Sequence, residues 1–546
     1  MAGPKRAHWL LTIGGLALAA GIVGLLLLDL PLRHRQHLTF ASPDGAPLAA
    51  TYYPGTAASG VLLLEGFGAD QTTLRSVARE LVASGVHVFT FDYPGHGRSP
   101  GTLAYDNAAT DRLAGQVQAA TAAFQDVSGL QASEITWMGH SLGARVALQS
   151  SVLGPRHPKQ LILLGAQINL GMNVQSEFFT GVSDADLDWV QRLGRNVPSV
   201  PIALYTGAWE DILTVEGARL LMTRLCGAPV TACADPPARK WVLTDALVHN
   251  YEIYSPRVLR DVKAQVVPGL ETPAARAAAQ RIALWVVTVT GLFLTLAGGL
   301  ALRDQRANRQ PTIEVVNPVQ LVWAKLWLWA AALPISAVVM ALYVLIPLPS
   351  PTFNLIYGGF LGGYGVLLLV LYGTSRMPGV SRRLKRPRSA PAPPRGWIVA
   401  IGFNLALFAA VTLLYRSGLG LVPPVGARQL WIWIFTPLTA LGFWLGALES
   451  DALRRAAPEK PAYRFWAMVF GLVPFFLYAA LMGALGSISG MIGALTGLLV
   501  LILSLMQGEI TRAWSGSALL AAISQSLLIY WLILPNGALF MPMVGS

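Results

Sequence analysis

Charged side chains are scarce in this sequence. Asp, Glu, Lys and Arg make up 12% of its 546 residues, whereas 54% of the residues are apolar. Soluble domains usually carry about twice that share of charge. The composition therefore excludes an ordinary soluble enzyme and predicts a protein that lies largely in a membrane.

A basic surface for nucleic acid is also missing. The formal net charge is +12, yet residues 40–280 contain 17 Lys and Arg against 21 Asp and Glu. The basic excess lies in the flanks and between apolar runs, where membrane topology is its usual cause. We therefore expect no nucleic-acid partner.

Cysteine is nearly absent. The only two cysteines, Cys226 and Cys233, are close in sequence. They can form a disulfide only if their segment faces an oxidising compartment. Two unpaired, buried thiols are the alternative.

Long apolar runs, in contrast, are abundant. The first extends from Trp9 to about Leu30, which is long enough to span a bilayer. We interpret residues 1–36 as an uncleaved signal anchor; the rival interpretation is a cleaved signal peptide, because ALAA resembles a cleavage site. A linker over 266–280 then leads into a polytopic membrane domain of about eight helices over 281–546. Its apolar segments lie near 282–302, 322–346, 354–373, 397–415, 429–448, 465–485, 489–506 and 515–534.

The basic residues are divided unevenly among the loops of this membrane domain. If successive apolar segments cross the membrane in alternate directions from a cytoplasmic N-terminus, most of these basic residues lie on the cytoplasmic side, including the run SRRLKRPR at 381–388. Arg416 and Arg428 then lie in loops on the opposite side. Positive residues concentrate on the cytoplasmic side of membrane proteins. The sequence therefore predicts a multi-pass protein of the cytoplasmic (inner) membrane. Residues of about 35 to 280 are expected on the extracytoplasmic, periplasmic side.

Ionisable side chains are rare inside the apolar segments. Lys325 and Glu449 lie near segment ends, and polar candidates within the cores are few, such as Asn404 and Gln525. Ion-coupled transporters usually need buried carboxylates or histidines at membrane depth. This argues against ion coupling and leaves lipid movement open.

Residues 37–265 have a different pattern, in which short apolar runs alternate with helical stretches. The runs are VLLLEGF (61–67), HVFTFDY (87–93), ITWMGHS (135–141), LILLGAQ (161–167), PIALYTG (201–207) and KWVLTD (240–245). Such runs predict a mostly parallel sheet with helices on both faces. The predicted fold class is therefore α/β, joined to an all-α transmembrane bundle of about nine helices in total.

The stretch MGHSLG, at 138–143, lies between a predicted strand and a predicted helix. Its two glycines permit a tight turn that projects the Ser141 hydroxyl above the sheet. A serine nucleophile needs a histidine base, oriented by a carboxylate, and in this type of sheet the chain order is serine, acid, histidine. Only His157 and His249 follow Ser141, and His157 is too close to the turn. His249 is therefore the predicted base.

The acid is expected after PIALYTG, where the loop reads AWEDILTVEGA. Spacing favours Glu210, and the frequency of residue types at such sites favours Asp211. The two remain equal candidates for the catalytic acid.

The oxyanion hole is expected to combine two backbone N–H groups, from Leu142 after the serine and from Phe67 in the loop after VLLLEGF. Gly66 and Gly68 would allow the backbone to approach the substrate closely; glycines in a plain turn are the alternative. We also expect a substrate contact from His140. The segment between LILLGAQ and PIALYTG would form a lid over 168–199, in which Phe178 and Phe179 line an acyl pocket or only pack the lid.

Together these motifs resemble the α/β-hydrolases, in particular the group of serine aminopeptidases and monoacylglycerol lipases. The resemblance rests on EGFGADQTTLRSVARELVASGVHVFTFDYPGHGRSPG (65–101), GHSLG (139–143), the acid loop and His249. It covers residues 37–265 and none of the C-terminal apolar segments. One departure is that such proteins usually carry His-Gly where this chain has Glu65-Gly66.

The resemblance implies a serine hydrolase with a Ser-His-acid triad and with neither cofactor nor metal. We predict a membrane-integrated esterase of the lipase type, whose partner is a membrane lipid or a lipid-linked ester. Three alternatives remain open: a lipid transporter or flippase with an accessory hydrolase domain, a catalytically silent binding module, and a peptidase or acyltransferase that uses the same triad.

Overall fold

The computed structural model describes ten stretches of the chain. They are residues 4–103, 109–166, 200–211, 215–227, 238–244, 247–269, 276–303, 313–381, 394–419 and 423–541.

One eight-stranded sheet forms the N-terminal half of the described chain. Its strands are β1 Gln36–Ala41, β2 Pro47–Tyr53, β3 Gly60–Leu64, β4 His87–Phe91, β5 Ile135–His140, β6 Leu161–Leu164, β7 Ile202–Gly207 and β8 Arg239–Thr244. Their spatial order is β1-β2-β4-β3-β5-β6-β7-β8. β1 and β2 pair antiparallel with their neighbours, and the six strands from β3 to β8 are parallel. The carboxyl ends of these six strands therefore meet at one edge of the sheet.

Helices cover both faces of this sheet, which is why its strands are almost continuously apolar. These helices are α2 Arg75–Val82, α3 Ala109–Ser128, α4 Leu142–Leu153, α5 Val215–Cys226 and α6 Pro256–Val266. Leu62 and Trp137 pack on one face with Phe124 of α3, whereas Val61 and Met138 pack on the other with helices α2 and α6. The predicted α/β fold class, with its mostly parallel sheet, is confirmed.

Nine apolar helices flank or follow the sheet in the part of the chain described. They are α1 Pro4–Leu28, α7 Arg276–Arg303, α8 Pro318–Val344, α9 Thr352–Gly373, α10 Pro394–Leu414, α11 Ala427–Ala456, α12 Ala462–Ala484, α13 Ile488–Ser515 and α14 Ala518–Ile533. Eight of them are long and apolar enough to cross a membrane. The exception is α14, which is shorter than predicted because α13 continues to Ser515 and a left-handed Gly516 separates the two helices.

The carboxyl edge of the sheet faces the ends of several apolar helices. In the loop after β3, Gly68 O accepts a hydrogen bond from Gly537 N–H at 2.8 Å, beyond the end of α14. After β7, the Asp211 carboxylate accepts from Ser489 N–H at 2.7 Å, in the first turn of α13. The edge of the sheet that holds the predicted site is thus joined directly to the helical bundle.

A buried arginine strengthens this junction. Arg428, in the first turn of α11, donates to Gly95 O at 2.6 Å, to Gly97 O at 3.3 Å and to Gly537 O at 2.8 Å. Its side chain is 3% exposed. A buried guanidinium is costly unless its donors are satisfied, so these three carbonyls hold the helix end against the loop after β4.

A second junction joins α1 and α7 to α2, which packs on one face of the sheet. Asp29, directly after α1, pairs with Arg75 of α2 at 2.6 Å and also with Arg281 of α7. All three side chains are at most 10% exposed. The first apolar helix is therefore anchored to both the bundle and the sheet.

The apolar bundle contains more paired charge than the sequence suggests. Lys325 of α8 and Glu449 of α11 form a buried ion pair. Asn404 of α10 donates to Thr511 Oγ1 at 2.9 Å and accepts from Gln507 Nε2 at 2.6 Å. Each polar group thus finds its partner on another helix, which lowers the cost of placing it among apolar segments.

Candidate active site

Ser141 occupies the sharp turn between β5 and α4. Its backbone has φ 55° and ψ −118°, a strained conformation for a residue with a side chain. The turn is closed by Gly143, where an added Cβ would lie 2.3 Å from Leu64 O of β3. Ser141 N–H also donates to Leu164 O of β6 at 2.9 Å. The serine therefore lies at the carboxyl edge of the sheet, as the sequence pattern predicts for a nucleophile elbow.

His249 and Glu210 meet at the same edge. His249 begins a 3₁₀ helix after β8, and its Nδ1 lies 2.9 Å from Glu210 Oε2, in the loop after β7. The two side chains are 5% and 0% exposed. A buried carboxylate at this distance orients an imidazole and selects its tautomer.

Asp211 points the other way. Its carboxylate accepts hydrogen bonds from Ser489 N–H and Ser489 Oγ at 2.7 Å each, and from Ser487 Oγ at 3.2 Å. Of the two acids that the sequence left equal, the structure brings Glu210 to His249. Asp211 instead caps the N-terminus of α13, where a negative charge is favourable.

Glu252 is a third acid beside this pair, and the sequence reasoning missed it. It is fully buried, and its Oε1 accepts from Gly207 N–H at 2.6 Å. Burial, together with the charge of Glu210, raises the pKa of Glu252 well above its usual range. Glu252 therefore favours its protonated form more than an exposed glutamate does, whereas Glu210 makes the contact with His249 Nδ1. The sequence signal that could have identified Glu252 is its position three residues after His249.

His140 lies beneath His249. Its Nε2–H donates to His249 O at 3.0 Å, and the two ring centroids are 4.9 Å apart. Burial and the neighbouring His249 lower the pKa of His140 to about 4, so its ring is neutral. This contact holds the backbone of His249 in place, and the substrate contact expected from His140 remains a prediction.

The residues predicted to form the oxyanion hole lie directly after Ser141 and in the loop after β3. Leu142 is the first residue of α4, so its backbone N–H has no acceptor within the helix. A Cβ on Gly66 would lie 3.2 Å from Ser141 Cβ, which places this loop directly over the serine. Gly68 has φ +70°, and its N–H donates to His96 Nε2 at 3.1 Å. The Phe67 ring contacts the rings of His96 and Phe540.

Glu65 points away from the serine. Its side chain is buried, and Oε1 accepts from Tyr93 N–H at 2.9 Å in the loop after β4. Burial and then the nearby Asp92 raise the pKa of Glu65 well above its usual range. The unusual carboxyl at this position thus bonds within the fold to Tyr93 N–H, and its raised pKa favours the protonated form.

His96 and Asp92 hold the loop that carries the DYPGHGRS element. Burial lowers the pKa of His96 to about 4, which keeps its Nε2 available as the acceptor for Gly68 N–H. Asp92 accepts from Gln71 N–H at 2.6 Å and from Arg98 N–H at 2.8 Å. These contacts fix the loop after β3 relative to the loop after β4.

Phe178, Phe179 and the expected lid over 168–199 lie outside the described residues, as does Cys233. Cys226, at the end of α5, is disulfide-bonded.

Part of the chain is similar to known proteins. Residues 55–253 match the family described as serine aminopeptidase, S33. A protein of Mycobacterium tuberculosis, described as uncharacterized and found in two strains, is 27% identical over 233 residues, which are 40% of this chain and 74% of the relative.

Two solved structures similar to this chain are an esterase of Pyrococcus furiosus and the thioesterase domain from the curacin biosynthetic pathway. The esterase has 17% identity and a TM-score of 0.35, over 43% of this chain and 91% of its own. The thioesterase domain has 14% identity and a TM-score of 0.32, over 43% of this chain and 99% of its own. The family match and the observed sheet show that residues 55–253 have an α/β-hydrolase fold similar to that of the S33 serine aminopeptidases, in a chain that also carries a bundle of apolar helices.

Proposed function

We propose that this protein is a membrane-integrated serine hydrolase that cleaves acyl esters of lipids or lipid-linked molecules. The observation that carries the proposal is the buried His249–Glu210 pair, 2.9 Å apart, at the edge of the sheet where Ser141 forms the tight turn. These three residue types, in this chain order, make up the catalytic triad of α/β-hydrolases.

The proposed reaction is acyl transfer from the ester to water. Ser141 Oγ attacks the ester carbonyl while His249 takes its proton, and the backbone N–H groups of Leu142 and Phe67 stabilise the oxyanion. His249 then passes the proton to the leaving alcohol. In the second half, water attacks the acyl-serine, and His249 again serves as base and then as acid. Glu210 stabilises the imidazolium in both halves.

The helical bundle supports a lipidic substrate. Gly68 beside the oxyanion loop and Asp211 beside Glu210 both hydrogen-bond to residues at the ends of apolar helices. The catalytic edge of the sheet is therefore held next to the surface that the bundle would present at a membrane boundary. An ester anchored in the bilayer by its acyl chain would reach Ser141 with little of its apolar part exposed to water.

The test compares purified full-length wild type with Ser141→Ala and Ser151→Ala. Ser151 is a matched control because it lies in α4 and its hydroxyl bonds only within that helix, to Leu148 O. We expect a fluorophosphonate probe to label wild type and Ser151→Ala but not Ser141→Ala. Release of fatty acid from ester lipids in vesicles should follow the same pattern. Undiminished hydrolysis by Ser141→Ala would refute the mechanism.

The substrate class is tested separately from the triad. We expect lipid esters in vesicles to be hydrolysed more efficiently than short, soluble esters that label the same serine. If the serine reacts with the probe but the vesicle lipids stay intact, the proposed triad stands and the proposed lipid substrate is wrong.

We further propose that the hydrolase domain faces the extracytoplasmic side of the cytoplasmic membrane. The uneven loop charges and the disulfide at Cys226 support this side. Reporter fusions after residue 303 and after residue 345 should be active in the cytoplasm and in the periplasm respectively. The opposite pattern would invert the topology.

A peptidase is the second candidate, because the matching family is described as serine aminopeptidase. The same triad attacks an amide as well as an ester. Hydrolysis of an aminoacyl amide that exceeds hydrolysis of the corresponding ester, and is lost in Ser141→Ala, would favour this candidate.

A further inference from the structure

Residues 537–540, the junction segment, follow the last apolar helix and lie between the bundle and the hydrolase domain. On the bundle side, Phe540 N–H donates to Ser350 O at 2.9 Å, and Ser350 N–H donates to Phe540 O at 2.8 Å, in the loop between α8 and α9. On the hydrolase side, Leu539 N–H donates to Gly95 O at 2.9 Å, in the loop after β4. Backbone hydrogen bonds therefore hold the junction segment on both sides.

The junction segment contacts the turn that carries Phe67, whose N–H is one of the two proposed oxyanion donors. Ala69 N–H donates to Gly66 O at 3.2 Å and closes a four-residue turn, here called the oxyanion turn. Gly68 within it has φ +70°, a backbone conformation that residues with a side chain rarely adopt. Gly66 O and Phe67 N–H belong to one planar peptide group. The bond that closes the turn therefore also sets the direction of the Phe67 N–H.

The oxyanion turn is held from two directions. From the hydrolase domain, His96 Nε2 accepts from Gly68 N–H at 3.1 Å. From the junction segment, Gly537 N–H donates to Gly68 O at 2.8 Å. The Phe540 ring also lies against the Phe67 ring, with centroids 5.9 Å apart, and Phe540 is 1% exposed. In a closely packed interior, loss of such a ring shifts the groups that pack on it.

We propose that Phe540 is a positioning residue for the proposed hydrolysis. Its ring packs on Phe67 and keeps the oxyanion turn in the orientation in which the Phe67 N–H reaches the oxyanion. Such a donor is effective only within about 2.7–3.1 Å of that oxygen, so a small shift of the turn weakens it. The inference rests on the proposed function, and it adds a contribution to catalysis from outside the matched region, 55–253.

Two substitutions of Phe540 and one control separate positioning from stability. Phe540→Ala removes the ring, and Phe540→Leu keeps part of its volume without the flat ring face. Phe435→Ala is the matched control, because Phe435 of α11 is an equally buried phenyl group whose ring packs on Tyr343 and Trp431 within the bundle. Both alanine variants leave a cavity. Only Phe540→Ala should disturb the oxyanion turn.

The experiment measures kcat/KM of the full-length variants with a chromogenic ester and with the thionoester, in which sulfur replaces the carbonyl oxygen. Thiocarbonyl sulfur accepts hydrogen bonds weakly, so an oxyanion hole accelerates the ester much more than the thionoester. We expect the ester-to-thionoester ratio of kcat/KM to fall about tenfold or more in Phe540→Ala, because loss of a whole donor costs about 10²–10³-fold. The ratio should fall less in Phe540→Leu and stay unchanged in Phe435→Ala.

Hydrogen exchange of backbone amides, measured by mass spectrometry on the same samples, tests the positioning without catalysis. Peptides that contain residues 66–69 should exchange faster in Phe540→Ala than in wild type or in Phe435→Ala. The reason is that the N–H groups of Gly68 and Ala69 are protected only while the oxyanion turn is held.

An unchanged ratio in folded Phe540→Ala, or an equal fall in Phe435→Ala, would overturn the positioning role. If Phe540→Ala does not fold, Phe540→Leu carries both measurements, and wild-type values for it would refute the role. Wild type that hydrolyses neither substrate would refute the proposed function and, with it, the role in catalysis. The exchange result would still show whether Phe540 holds the turn, so the two failures are distinguishable.

Discussion

The two adjacent acids in the loop after β7 provide the sharpest test of the proposed triad. Glu210 contacts His249, whereas Asp211 contacts the first turn of α13. Replacing each acid by its amide keeps the shape and removes the charge. We expect Glu210→Gln to lose catalysis and Asp211→Asn to lose part of the junction between the two domains.

The expected magnitudes follow from the contacts. The side chain of Glu210 is fully buried, its bond to Nδ1 is 2.9 Å long, and the neighbouring Glu252 accepts a hydrogen bond from Gly207 N–H. An amide at the triad acid stabilises the wrong tautomer, and the loss in serine proteases is about 10⁴-fold in kcat. That corresponds to about 5.5 kcal/mol of transition-state stabilisation. Asp211→Asn retains an acceptor for Ser489, so we expect less than about a tenfold change in kcat.

The assay is hydrolysis of a chromogenic ester by the two purified variants, with fluorophosphonate labelling and a thermal melt on the same samples. Glu210→Gln should melt like wild type and hydrolyse slowly, whereas Asp211→Asn should melt at a lower temperature and hydrolyse at nearly the wild-type rate. A reversed result, in which Asp211→Asn loses 10⁴-fold and Glu210→Gln does not, would refute the proposed acid.

Three further changes test the framework of the site. Gly143→Ala places a Cβ 2.3 Å from Leu64 O, and a shift of the turn by about 1 Å should cost about 100-fold in kcat, measured with the same ester. Glu65→Gln tests how the protonation of Glu65 is coupled to stability. Burial raises the pKa of Glu65, so the folded protein keeps a proton that the unfolded chain loses. The free energy of unfolding of wild type therefore falls as the pH rises. The melting temperature of Glu65→Gln should therefore increase relative to wild type as the pH rises above the unfolded-state pKa of glutamate, about 4.3, and a difference that does not change with pH would contradict the raised pKa of Glu65. Arg428→Met removes three hydrogen bonds to loop carbonyls, of which Gly95 O keeps its bond from Leu539 N–H. The change should destabilise the junction by about 2–4 kcal/mol and lower hydrolysis, and an unchanged melt would contradict this role.

The sheet and the tight turn were predictable because both are local in sequence. Six apolar runs separated by helical stretches specify parallel strands buried on both faces, and GHSLG lies at one strand–helix boundary. The position of His249 followed from chain order alone. Apolar run length likewise predicted nine helices, although the length of α14 depended on where the turn at Gly516 ends α13.

The choice between Glu210 and Asp211 was not predictable, because adjacent side chains in a loop point in different directions and their partners are distant. His249 follows Glu210 by 39 residues, and Ser489 follows Asp211 by 278. The partners of Glu65 and Arg428 were equally unpredictable from the sequence. Whether a carboxyl faces a substrate or a backbone amide depends on how the loops pack, which periodicity and composition do not encode.

The contacts of residues 537–540 have a consequence for the order in which the protein matures. Gly537 and Leu539 pair with the loops after β3 and β4, and the Phe540 ring packs on Phe67 beside Ser141. Ribosomes make these residues only after the nine apolar helices, so the hydrolase domain emerges early without the segment that completes its oxyanion side. A fragment ending at residue 265 would lack that segment permanently. A chain that fails to insert its last helices would therefore lack the contacts of residues 537–540 with the loops around the proposed active site.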